Sequence, residues 1–159
     1  MVLKKAQEEN SPIIQNKINI ELSISKHIPY FGGEAPTEEQ LYIITPIQGT
    51  FILTDFNGLK KEVKSNEKGI IKLNIAKDKY QLQEQYKSVN FDTFYKRESK
   101  NKSQFIMISD SICYRKWWSK KLITFEVKTA SDLTKFSGKV FSNCYTTSSC
   151  ETYTGPYKP

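Results

Sequence analysis

Ile18, Ile20, Leu22 and Ile24 alternate with Asn19, Glu21, Ser23 and Ser25, and this period of two predicts a strand with one buried face. Tyr30-Phe31-Gly32-Gly33 then turns the chain. Thr37, with Gln40 three residues on, has the spacing of a capping box, which predicts one or two helical turns to about Tyr42 before Pro46 forbids continuation. The sharpest pattern runs over residues 49–86. Gly49 to Thr54 reads as a strand, Asp55-Phe56-Asn57-Gly58 as a tight turn, and Leu59 to Lys64 as a second strand. Ser65 to Gly69 is a second turn, and Ile70 to Ile75 and Tyr80 to Tyr86 complete a meander of short antiparallel strands.

Lys87 to Gln104 is polar and basic with Phe91, Phe94 and Tyr95 embedded, and reads as a long loop or a short helix. The continuous apolar run Phe105 to Ile108 predicts a buried strand. Leu122 to Lys128 alternates again, and Lys139 to Cys144 is the last strand candidate, before a tail from Tyr145 that lacks aliphatic residues. Strands at short, regular spacing with turn signals between them indicate a sandwich or barrel and not alternating strands and helices. The expected architecture is one all-β domain over residues 17–159, an antiparallel sandwich of about seven strands with one or two short helices in its connections. Met1 to Asn16, largely polar, reads as a flexible tether.

Composition narrows the setting. At 159 residues the chain is long enough to bury a core without help from a metal. No apolar run approaches the roughly 20 residues a membrane-spanning helix needs. Residues 1–16 hold no apolar signal-peptide core, which leaves a cytosolic protein or a mature secreted one. The net charge of +7 invites a nucleic-acid partner, yet of 24 basic residues only Arg97 and Arg115 are arginine. Base-edge and bidentate phosphate recognition lean on the guanidinium fork. Lysines that alternate with apolar residues, as at Lys60 to Lys64 and at Lys72, describe a solvated sheet face that also blocks edge-to-edge pairing.

Candidate chemistry is sparse. His27 is the one histidine, no Gly-x-Ser-x-Gly elbow or phosphate-binding loop exists, and neither a metal set nor a cofactor motif can be drawn from the remaining residues. Three cysteines, Cys113, Cys144 and Cys150, permit one disulfide and one leftover thiol. Cys144 and Cys150 flank a polar loop that can close into a small ring, and three buried inert thiols remain the alternative. The densest aromatic and basic cluster is Tyr114-Arg115-Lys116-Trp117-Trp118. In either a helix or a strand its two indoles diverge, which leaves one for the core and turns the other toward the surface. Tyr114, Trp117 and Trp118 are therefore the candidate binding residues, Trp being an efficient anchor for proteins or sugars.

The stretch Gly49 to Tyr86, with Gly49-Thr50-Phe51, Asn57-Gly58, Asn66-Glu67-Lys68-Gly69-Ile70 and Asp78-Lys79-Tyr80, resembles the transthyretin-like, carboxypeptidase-regulatory-like (prealbumin-like or CnaB-like) β-sandwich modules. Asp78 departs from the glycine usual at that place. Three further pieces resemble small uncharacterised envelope lipoproteins of Gram-negative bacteria: Tyr30 to Thr37, Cys113 to Trp118, and Cys144 to Cys150 with Glu151 to Pro156. That resemblance implies an extracytoplasmic location in the periplasm, outer membrane or cell surface, and is compatible with a lipid anchor upstream of residue 1. Members of the group often carry Cys where Phe31 stands, which implies that Cys113 has lost its partner and is a free thiol while Cys144–Cys150 survives. The function expected is a non-enzymatic binding or accessory module of the envelope with a protein or glycan partner and no nucleic acid. A thiol or redox role centred on Cys113, or a structural spacer, is the alternative.

Overall fold

A computed structural model of the chain describes residues 16–30, 37–38, 41–108, 110–128, 134–142 and 146–156. The expected tether, residues 1–16, lies outside these but for Asn16, as do the turn at Phe31-Gly32-Gly33, Gln40 and Cys144. The described chain is mostly β. Its strands are β1 (Lys17–Pro29), β2 (Tyr42–Pro46), β3 (Thr50–Thr54), β4 (Lys60–Lys64), β5 (Ile70–Ala76), β6 (Asp78–Glu84), β7 (Ile106–Ile108), β8 (Ile123–Val127), β9 (Lys135–Phe141) and β10 (Glu151–Tyr153). Two helices, α1 (Phe91–Asn101) and α2 (Ser111–Ser119), interrupt the second half. That makes ten strands among the described residues where about seven are expected.

One sheet runs β4-β3-β6-β8, antiparallel throughout. A second four-stranded sheet is organised by β1, and β7 and β10 form a two-stranded third. Glu21 to Ser23 pair with both β5 and β9, and Ser25 to His27 pair with both β2 and β9. A strand has two edges, so β5 and β2 lie end to end along one edge of β1 and β9 fills the other. The β1–β9 pair is parallel, which corrects the expectation of a purely antiparallel arrangement.

The junction between β5 and β2 explains Gly69. Ile24 N donates to Gly69 O at 2.8 Å, and Ile47 N donates to Ile24 O at 3.1 Å, so both strand ends close on one residue of β1. Gly69 has φ +74°, and a Cβ there would collide with the Ile24 carbonyl oxygen. The expected Asn57-Gly58 turn is present, with Gly58 at φ +84°.

Alternation places the inward side chains of both sheets in one core. Ile20, Leu22 and Ile24 of β1 and Ile71, Leu73 and Ile75 of β5 share it with Phe51, Leu53, Val63, Tyr80, Leu82, Ile123, Phe125 and Val127 of the other sheet. Lys60, Lys61, Lys64 and Lys72 point to solvent, as their spacing predicts.

Several local expectations change. Tyr42 opens a strand and does not end a helix, because Tyr42-Ile43-Ile44-Thr45 is β-branched and aromatic and finds the free edge of β1. The polar stretch after Lys87 is the helix α1, with Asn90 Oδ1 accepting from Thr93 N at 2.9 Å. Phe105 to Ile108 is not a buried strand: among the described residues β7 pairs only with β10, and Phe105 and Met107 are exposed. The last long strand, β9, begins at Lys135 and not at Lys139.

Candidate functional site

The residues expected to bind a partner lie on α2. Asp110 caps it, its Oδ1 accepting from Cys113 N at 2.6 Å. Cys113 and Trp117 form one row along this helix, and Tyr114 and Trp118 form the adjacent row. Two rows about 100° apart make one wide apolar face. Both therefore pack against α1, and Ile112, Arg115 and Lys116 turn to solvent. Phe91, Phe94, Tyr114 and Cys150 form a second core, with Val89, Tyr95, Ile108, Cys113, Trp117 and Trp118 against it.

Tyr114 is 0% exposed, stacked on Phe94 at 5.7 Å between ring centroids and 5.2 Å from Trp117. It offers no surface to a partner, so its expected binding role is corrected to packing. Both indoles are half-buried, so the expectation of one core and one surface indole is corrected too. Trp118 meets Phe91 edge-on at 5.8 Å, and Trp117 lies 5.8 Å from Phe94. Three cations cap the aromatic rings: Lys87 Nζ sits 4.2 Å from the Trp117 ring, the Arg115 guanidinium 4.1 Å from that of Phe91, and the Arg97 guanidinium 5.8 Å from that of Phe94.

Cys113 and Cys150 are joined by a disulfide across 37 residues of sequence. This overturns both the expected Cys144–Cys150 ring and the free thiol at Cys113. The physical reason is α2, which turns Cys113 inward to where the turn before β10 delivers Cys150. A role for Cys113 as a free thiol loses its premise with it. Beside the disulfide, the buried Glu151 carboxylate pairs with Lys102 Nζ at 2.8 Å and accepts from the Tyr114 hydroxyl at 3.3 Å. Burial first, and then the Glu151 and Glu98 charges, push ionisation of the Tyr114 phenol well above its ordinary range.

A different surface carries what the sequence reading missed. Strand β2 is exposed at every residue, with Tyr42 at 43%, Ile43 at 52% and Ile44 at 60%. Among the described residues it pairs with β1 alone, and none of them pairs with its outer backbone edge. Cross-strand register sets His27, Ile44 and Phe141 side by side on one face. Tyr42 and Phe141 rings stand 5.7 Å apart over His27, which is buried and hydrogen-bonded to Ser25 Oγ at 2.9 Å. Phe141 is 54% exposed. The other edge strands of the two four-stranded sheets turn polar groups outward: Lys60, Lys61 and Lys64 on β4, Lys72 and Asn74 on β5, Thr124 and Glu126 on β8, and Lys135, Ser137 and Lys139 on β9. Such groups guard an edge against added strands, and β2 carries no charged residue, with only Thr45 and the terminal Pro46 of this kind. The run Tyr42 to Thr45 is the signal that could have found it.

Among the described residues no three His, Cys, Asp or Glu side chains gather as a metal site, and no helix is long and apolar enough to cross a membrane. In comparisons with known proteins, no family model, no curated protein and no solved structure matches the chain.

Proposed function

We propose that the chain is a non-enzymatic binding or accessory module of an oxidising, extracytoplasmic compartment, and that it takes a protein partner along β2. The observation that carries this reading is the combination in β2 of an open backbone edge with exposed apolar side chains on both faces. An extended segment of a partner adds to such an edge through main-chain hydrogen bonds, and alternate side chains supply the specificity. Ile44, Tyr42 and Phe141 form one contact face, and Ile43 lies on the other.

The location rests on the Cys113–Cys150 disulfide, since structural disulfides persist where the surroundings are oxidising. The transthyretin-like sandwich reading is supported by two sheets that close on one core and by the β3–β4 hairpin at Gly58, although the expected meander is broken where β5 crosses to pair with β1 and β6 returns beside β3. The parallel β9 and the second core of α1 and α2 are additions to that plan. The resemblance to envelope lipoproteins adds an accessory subunit of a surface complex as the role.

Affinity capture of the tagged protein from its native envelope, beside its Ile44→Lys and Leu59→Lys variants, tests the reading. Leu59 is exposed and apolar but lies far along the other sheet, at the β3–β4 turn. The proposal expects one stoichiometric protein that is lost with Ile44→Lys and kept with Leu59→Lys. Equal capture by all three, or none by any, contradicts it.

A further inference from the structure

Where the two cores meet, the end of β6, the C-terminus of α2 and β9 enclose a cleft of about 190 Å³. Its wall includes Lys87, Lys120, Lys121 and Lys139, with Glu84 as the one carboxylate. Lys87 is the telling residue, because its side chain is only 4% exposed. An ammonium group that deep normally meets a carboxylate in hydrogen-bonding contact. Here Glu84 Oε2 stands 3.8 Å away, and the hydrogen bond goes to the Trp117 carbonyl oxygen at 3.0 Å. Lys121 Nζ donates to the neutral Gln83 Oε1 at 2.6 Å. Among the described residues Lys120 and Lys139 form no ion pair. Four lysines thus line a cleft that holds one carboxylate, Lys87 buried at its base and Lys120, Lys121 and Lys139 exposed around it.

We infer that this cleft is a binding site for a tetrahedral oxyanion, a phosphate or sulfate group, held by Lys87 at its floor and by Lys120, Lys121 and Lys139 at its walls. Ser149 supplies a hydroxyl, and Trp117 and Phe141 supply an apolar margin against which the rest of an esterified ligand can lie. The volume is that of a handful of water molecules and suits one such group. Removal from water is the largest cause that lowers the proton affinity of both Lys87 and Lys121; Lys120 and Lys121 add repulsion at Lys87, Glu84 partly offsets the loss at both, and a bound anion relieves it further. The anion can be free or carried on a lipid headgroup, and the chemistry at the cleft is the same. The site shares only Phe141 with the β2 surface, so the two proposals stand or fall apart.

The test is a titration of backbone amide resonances with inorganic phosphate at constant ionic strength, with chloride as the control. Wild type is compared with Lys120→Gln, Lys139→Gln and the distant Lys72→Gln. All three lysines are exposed, so their replacement leaves the fold intact. Saturating shifts centred on residues 84–87, 117–122, 139–141 and 149 are expected, with affinity reduced about tenfold or more by Lys120→Gln or Lys139→Gln and unchanged by Lys72→Gln. Sedimentation with phosphatidylglycerol vesicles against phosphatidylcholine vesicles identifies the source. Vesicle binding that depends on Lys120 and Lys139 assigns a headgroup, and phosphate binding without it assigns a free or soluble ester. The inference is overturned if neither probe binds in saturable fashion, or if the shifts follow lysines over the whole surface or ignore the cleft variants.

Discussion

Lys102 Nζ stands 2.8 Å from Glu151 Oε1, and this contact joins the end of α1 to the first residue of β10. The Glu151 side chain is wholly buried, and it also accepts from Tyr114 and from the Thr147 amide. Lys102→Met leaves a carboxylate buried without its cation, and the expected loss is about 3 kcal/mol. Adding Glu151→Gln to that variant removes the uncompensated charge and should recover part of the loss. Urea unfolding of the single and double variants measures both.

The disulfide makes a sharper prediction, because both tryptophans of the chain, Trp117 and Trp118, belong to the second core. Tryptophan emission therefore reports that core alone, while the midpoint of far-ultraviolet dichroism averages it with the two sheets. Cys113→Ser opens a loop of 37 residues, which costs up to about 4 kcal/mol by loop-closure entropy. The emission of this variant should shift to the red at a lower urea concentration than the dichroism changes. Peptide mapping without reductant should find the Cys113 peptide bonded to that of Cys150.

Alkaline pH should act on the same core. Tyr114 ionises in the unfolded chain near its ordinary value of about 10, but burial and the nearby carboxylates hold its proton on well above that in the folded chain. A group whose folded value is raised contributes stability that is complete below the unfolded value and is lost as pH climbs above it. The urea midpoint read by tryptophan emission should be steady up to about pH 9 and fall beyond about pH 10. Tyr114→Phe, which cannot ionise, should flatten that fall.

At the junction of β5 and β2, Gly69→Ala should cost about 2 kcal/mol or more, because it adds left-handed strain to a collision with the Ile24 carbonyl. Gly58→Ala, at φ +84° with open space around it, carries only the backbone strain and should cost less. Thermal melts of the two variants compare them directly.

The main sheets were legible where local signals agreed. Ile18 to Ile24 alternate without a break, and Asn57-Gly58 and Gly69 mark turns that only positive φ satisfies. Strand β2 was hidden because both its faces are exposed, which leaves no alternation to read, and because Thr37 and Gln40 mimic a helix start. The helix α1 carries Phe91, Phe94 and Tyr95 at helical spacing within a polar run, a signal present but weak. No local pattern could pair Cys113 with Cys150, since the pairing follows from how α2 packs. The parallel placement of β9 is likewise a tertiary outcome. The aromatic cluster was legible as a cluster but not as a core, because the face it packs against comes from α1.

The docking claim for β2 is tested most directly by a photoreactive side chain placed at Ile44 and, separately, at Leu59, in the protein expressed in its native host. Both positions are exposed and apolar, but only Ile44 lies on the open edge. One discrete adduct with another protein is expected from position 44 and none from position 59. An adduct from position 59 alone, equal adducts from both, or no adduct from either contradicts it.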